Sequence, residues 1–159
     1  MGRKPIYFYI AREEPYGCFS NFSWHGFTLD GQWWPTSEHY FQAQKFMVSD
    51  RPWAAKIQQA KTPKIAATMG RSRKHPIRPD WDAVKDDIMT SAVRAKFQAH
   101  AEIRQLLLAT EDAVITENSP IDYYWGCGAD GSGQNQLGQI LMAVRQSLRN
   151  GQMDESLDQ

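Results

Sequence analysis

Apolar and polar positions divide the chain into short β-type segments near its start and longer helical segments after them. Ile6 to Ile10 is an aromatic and β-branched run ended by Arg12, Glu13 and Glu14, which predicts a largely buried strand. In Pro15-Tyr16-Gly17-Cys18-Phe19-Ser20-Asn21-Phe22-Ser23 the aromatics follow neither a period of two nor one of about 3.6, so this segment reads as a loop that carries side chains inward. Phe27 to Leu29 and Gln32 to Trp34 flank Asp30-Gly31, a pair suited to the positive φ of a type I′ turn, which predicts a hairpin. The hairpin leads into Pro35-Thr36-Ser37-Glu38, where Thr36 or Ser37 caps a helix running to about Phe46 with Glu38 in its first turn. After Asp50, the spacing of Trp53, Ile57 and Ala60 predicts a second helix with Pro52 early in it. Thr62-Pro63 starts a third, Lys64 to Met69, stopped by Gly70. Asp80 caps a long helix with Trp81, Val84, Ile88, Ala92 and Ala95 on one stripe, and Ala101 to Ala109 is a further helix. Ala113 to Thr116 reads as a strand. The last element is a helix from about Asn135, with Leu137, Ile140, Leu141, Val144 and Leu148 three and four residues apart. The predicted class is α+β, mostly helical, with a few short strands whose order the sequence does not encode legibly.

Length and charge narrow the possibilities. The 159 residues suit one domain over 1–150 with a polar tail, 151–159, expected to fray. Lys and Arg balance Asp and Glu at 18 each, so strong non-specific nucleic-acid binding is not expected and any anion site must be local. The two cysteines, Cys18 and Cys127, have neither zinc spacing nor disulfide density, and nothing approaches the ~18 apolar residues of a membrane span. A reduced, cytoplasmic protein without membrane association is expected. His25, His39, His75 and His100 share no ligand spacing, so neither a metal nor a cofactor is expected.

Three features carry candidate chemistry. Glu38 and Lys45 lie about two helical turns apart and leave the helix on nearly the same face, with Phe41 and Gln42 between them. That face carries either chemistry or a long-range ion pair, while residue types alone favour reading Glu38 as a capping carboxylate on a core helix. Trp125-Gly126-Cys127-Gly128-Ala129-Asp130-Gly131-Ser132-Gly133-Gln134-Asn135 sets four glycines before the last helix, a natural phosphate cradle, although a tight surface turn has the same composition. It matches neither the P-loop nor the dinucleotide fingerprint. Arg71, Arg73, Lys74, His75 and Arg78 form a dense basic patch, either a phosphate clamp or a solvated loop. Trp34, Trp81 and Trp125 suit stacking on a base or sugar, or the core.

Together, DGQWWPTSEHYFQAQKF, PYGCFSNFS, MGRSR and WGCGADGSGQNQLGQILM resemble the YbiA-like, or NADAR, family, from about Tyr7 to Arg149. The resemblance implies an N-glycosidase that hydrolyses the ribosyl C–N bond of a phosphorylated ribose. Its substrate would be either guanine bearing ADP-ribose or the phosphoribosylamino-pyrimidine intermediates of riboflavin synthesis. It places the family's motif glutamate at Glu38 and its lysine at Lys45, and substrate contacts at Asn21, with neighbouring Phe22, and at Trp81, Asp122 and Asn135. Trp34, Arg71, Arg73, Trp125, Gly126, Cys127, Gly131, Ser132 and Gly133 complete the expected binding set. Cys127 stands where many relatives carry Asp. A phosphate is expected to engage Gly131 to Asn135 and the Arg71 to Arg78 patch. The resulting inventory slightly favours ADP-ribosylated guanine. The competing reading is a non-catalytic module that holds ADP-ribose or a similar nucleotide, against which the paired acid and amine argue.

Overall fold

The computed structural model describes residues 3–157, and the side chains of residues 3–151. Among them are six α-helices and four three-residue strands, the mixed, mostly helical class that the sequence predicts. Contacts cluster into two compact units, one comprising Asn21–Ala99 and the other the described residues before and after it.

The Asn21–Ala99 unit is built around one short helix. β2 (Phe27–Leu29) and β3 (Gln32–Trp34) pair antiparallel, with Phe27 opposite Trp34 and Leu29 opposite Gln32. Asp30 and Gly31, at φ 55° and 77°, make the turn as the sequence predicts. α1 (Ser37–Gln44) follows, and all eight of its residues are buried. It packs against α2 (Arg51–Gln58), α3 (Pro63–Gly70) and α4 (Trp81–Ala99). Phe27, Trp34, Tyr40, Ala43, Phe46, Ala54, Ile57, Ala66 and Ala92 form the core. Asp50 and Thr62 cap α2 and α3, accepting from Trp53 N and Ile65 N. Gly70 does not stop α3 through a left-handed residue; it ends the helix in ordinary geometry, pressed against Gln42. The Asp80 carboxylate binds Arg78 at 2.6 and 3.1 Å, while its carbonyl accepts from Ala83 N and Val84 N in the first turn of α4.

In the other unit β1 (Ile6–Phe8) pairs parallel with β4 (Ile115–Glu117), Ile6 opposite Ile115 and Phe8 opposite Glu117. The first strand is therefore shorter and less buried than the apolar run predicts: Phe8 faces the core, while Tyr7 is 57% exposed. A three-residue partner offers no longer ladder. The loop Pro15 to Ser20 contains a 3-10 turn, Tyr16–Phe19, which buries Phe19. α5 (Ala101–Ala109) and α6 (Gln136–Leu157) supply Ile103, Leu107, Leu137, Leu141 and Val144 to this core. α6 continues through the segment expected to fray, as far as Leu157, because one Gly151 without a proline does not end a helix; residues 158 and 159 lie outside the described set. Among the described residues no helix is long and apolar enough to cross a membrane.

Candidate active site

Burying a whole helix that contains Ser37, Glu38, His39, Gln42 and Gln44 demands partners for its polar groups. The first turn shows how they are supplied. Thr36, in extended geometry, caps α1 by accepting from His39 N at 3.1 Å and donates its hydroxyl to His39 Nδ1 at 2.8 Å. The His39 Nε2–H donates to the Ala60 carbonyl at 2.9 Å, which fixes the tautomer, and burial lowers the pKa of this imidazole. Ser37 Oγ donates to Asn21 Oδ1 at 2.8 Å, Glu38 N donates to the Asn21 carbonyl at 3.2 Å, and Asn21 Nδ2 reaches Met89 Sδ at 3.4 Å. Asn21 thus anchors the start of the helix that carries Glu38.

Along one face of α1 run Glu38, Gln42 and Lys45. Glu38 is 8% exposed, and its Oε1 accepts from Gln42 Nε2 at 2.8 Å. Lys45, the half-buried C-cap residue, donates Nζ–H to the Gly70 carbonyl at 3.3 Å. Its Nζ lies 5.9 Å from the ring centroids of both Phe41 and Trp81, rings that themselves pack 5.0 Å apart. Burial holds the Lys45 amine below the usual lysine value; the Glu38 charge opposes this, and Arg71 and Lys85 reinforce it. An acid and an amine with a weakened hold on its proton therefore share a face lined by two aromatic rings.

Other expected contacts fall out differently. Arg71 is exposed, donates to Thr68 Oγ1 at 3.3 Å, and lies close enough for its charge to act on Lys45. Arg73 is exposed, as is Phe22 at 38%. Trp34 departs from expectation: it is 1% exposed, donates its indole N–H to the Leu29 carbonyl and packs edge-on to Tyr40, so it has no face for a ligand. Two members of the basic patch are engaged within the fold. His75 pairs with Asp50 at 2.6 Å and stacks on Trp53, and Arg78 pairs with Asp80. Gln42, given no role from the sequence, donates to the acid, and Gly70, read there only as a helix stop, accepts from the amine. Their signal was their spacing from Glu38 and Lys45, and it needed the α1–α3 packing to acquire meaning.

The backbone donors of the glycine-rich loop are engaged within the loop itself. Every backbone N–H from Gly131 to Leu137 already has an acceptor. In order these are Gly128 O, Asp130 Oδ1, Cys127 O, Tyr123 O, Gly126 O, Tyr124 O and Trp125 O, at 2.7 to 3.4 Å. The Asp130 carboxylate also accepts from Ser132 Oγ at 2.7 Å, which adds a negative charge to the loop. The glycines serve packing: a Cβ on Gly133 would lie 2.4 Å from Gly126 O, and one on Gly126 2.8 Å from Ser119 Cβ. Asp122 Oδ1 is taken by Tyr124 N and Trp125 N, and Trp125 packs edge-on to Tyr124. Asn135, at φ 51°, accepts from Glu117 N and donates to the Ile115 carbonyl, both at 2.9 Å, completing the free edge of β4 with its side-chain amide. The Cys127 thiol donates to Asn118 Oδ1 at 3.4 Å. Among the described residues no cluster of His, Cys, Asp and Glu could hold a metal ion.

Residues 7–149 match the family model of the NADAR domain. The chain is 51% identical over 146 residues to an N-glycosidase of Nostoc punctiforme, covering 91% of this chain and 93% of that one. It is 48% identical over 143 residues to N-glycosidase YbiA of Escherichia coli, covering 90% and 88%. The NMR structure of the E. coli protein YbiA aligns with a TM-score of 0.88 at 46% identity, over 96% of this chain and 89% of that one. A maize chloroplastic riboflavin biosynthesis protein is 40% identical over 146 residues, which make up 23% of its length.

Proposed function

The chain belongs to the NADAR family and is an N-glycosidase by class, and from that premise we propose that it cleaves the ribosyl C–N bond of an N-linked phosphoribose through a covalent intermediate on Lys45. One observation carries this reading: an amine whose burial disfavours its charge lies on the same helix face as a buried carboxylate. A lysine in such surroundings supplies the free base that adds to a carbonyl-like carbon.

The steps balance without a cofactor. An N-linked ribose opens to an imine at C1. The free amine of Lys45 adds to C1, its two protons pass in turn through Glu38 to the departing nitrogen, and that nitrogen leaves as a neutral amine while C1 and Nζ form a Schiff base. Water then adds to C1, both of its protons pass to Nζ, the C1–Nζ bond breaks, and the aldehyde recloses as the sugar phosphate. One water is consumed, and Lys45 and Glu38 return to their starting states. Glu38 also balances positive charge developing at C1.

For the substrate, the inventory supports the monophosphorylated class. The preference for ADP-ribosylated guanine rested on the glycine loop, the full basic cluster and several tryptophans. The loop donors are occupied, Trp34 is core, and His75 and Arg78 are paired. Arg71, Arg73 and Trp81 suffice for one phosphate and one ring, and the maize relative carries a riboflavin name. The phosphoribosylamino-pyrimidine is therefore the proposed substrate. Steady-state assays of both compounds test this, with at least tenfold higher kcat/KM for the pyrimidine expected, about 1.4 kcal/mol in the transition state. Equal or better turnover of ADP-ribosylated guanine would overturn the substrate choice. Release of base from neither would overturn the activity.

A further inference from the structure

Between the acid and the amine sits a side chain whose two ends are treated unequally. Gln42 is 7% exposed and donates Nε2–H to Glu38 Oε1 at 2.8 Å, yet its own Oε1 is fully buried and accepts from no group of the protein. The amide is fixed in this sense, because the reverse orientation would set its carbonyl against a carboxylate. A buried acceptor without a donor is costly and is retained where something else depends on the group. What holds it is α3. A Cβ at Gly70 would lie 1.9 Å from Gln42 Oε1 and 2.6 Å from Cδ, so only a glycine lets the helices close with the amide in place. The same glycine accepts Lys45 Nζ–H through its carbonyl. Gly70 has no positive φ, so space accounts for its identity.

We infer that Gln42 is a positioning residue for Glu38, held in its working orientation by the absence of a side chain at Gly70. The inference rests on the proposed role of Glu38. Gln42 is suited because it is a neutral donor. It holds the carboxylate in one rotamer and favours its ionised form without cancelling the charge, which remains available to Lys45. The charges that act on Lys45, at the C-cap of the same helix, are Glu38, Arg71 just beyond α3, and Lys85 on α4.

The test compares Gln42→Met and Gly70→Ala with the wild type, using two readouts. In kcat/KM against pH for the pyrimidine substrate, both variants are expected to move the acid limb upward by about one pH unit, the effect of losing one charge-assisted hydrogen bond, and to lower kcat about 10- to 100-fold with little change in KM. Gly70→Ala acts here without altering Glu38 or Gln42, and the double variant should be no worse than the poorer single one. The second readout needs no turnover: a carbon-13 NMR titration of the Glu38 carboxyl should move upward in both variants. A carboxyl titration and acid limb that stay in place in folded Gln42→Met would overturn the inference. A titration that moves in a protein that cleaves no substrate would support the positioning and sink the glycosidase reading alone.

Discussion

An ammonium at Lys45 loses hydration to the Phe41 and Trp81 rings and gains the Gly70 carbonyl at 3.3 Å, so its proton is held less tightly than in the unfolded chain. The unfolded chain therefore binds more protons between the folded value and the ordinary 10.5, and stability rises with pH across that window. Below it, the full cost of charging a buried amine is present. Lys45→Met is accordingly expected to abolish turnover while raising Tm at pH 7 by roughly 2–4 °C, the shift about 1 kcal/mol produces at this length, as a melting scan would show. An unchanged or lowered Tm would mean that the amine is well solvated. Glu38→Gln keeps the size, the helix propensity and an acceptor for Gln42, so Tm should hold while kcat falls about 10²- to 10³-fold. Normal turnover by that variant would reduce Glu38 to a helix cap. The helix-face spacing of these two residues was legible in the sequence because a helix has one fixed period. Gln42 was legible only as a neighbour, since its unsatisfied carbonyl depends on an α3 residue 28 positions later.

At the scale of elements, local signals with a fixed geometry were readable, and those that depend on remote partners were not. Asp30-Gly31 gave the hairpin and Thr36 the start of α1, because turn and cap chemistry is complete within four residues. The β1–β4 ladder joins strands more than a hundred residues apart, and no local pattern encodes such a parallel pairing. The glycine loop is ambiguous in sequence for a related reason: its composition suits a phosphate, but whether its N–H groups are free depends on carbonyls from Tyr123 to Gly128. Gly131 in the loop and Gly138 in the first turn of α6 separate packing from phosphate binding. In Gly138→Ala a Cβ would sit 2.1 Å from Ile115 O and 2.4 Å from Asn135 Nδ2, dismantling the tie between α6 and β4, and a loss of about 3 kcal/mol is expected. Gly131, at φ 81° with open space around it, should cost only about 1–2 kcal/mol as Ala and leave ribose 5-phosphate affinity unchanged. Calorimetric titration showing a large loss of that affinity in Gly131→Ala would return the phosphate to the loop.

Over the whole molecule, a net charge of zero conceals strong segregation. From Arg51 to Pro79 there are eight Lys and Arg and no Asp or Glu, so this basic span of the Asn21–Ala99 unit is balanced by acidic excess elsewhere in the chain. The overall balance is why strong non-specific nucleic-acid binding is not expected, and the basic span is where the proposed phosphate contact would lie. Arg71→Ala and Arg73→Ala should each weaken ribose 5-phosphate binding, by about 10- to 150-fold for a charge-assisted contact of about 1.5–3 kcal/mol, with little effect on ribose itself. Equal losses for both sugars would remove the phosphate from this patch. The sequence inventory slightly favours ADP-ribosylated guanine, and the proposed reversal rests on which arginines and tryptophans the fold engages internally.

Sodium borohydride added during turnover of the phosphoribosylamino-pyrimidine, followed by peptide mass spectrometry, tests covalent catalysis at its reacting bond. A reduced ribose 5-phosphate adduct on Lys45 is expected in the wild type, to be diminished in Glu38→Gln and absent in Lys45→Ala. Continued turnover by Lys45→Ala, with no adduct trapped on wild-type Lys45, would contradict it.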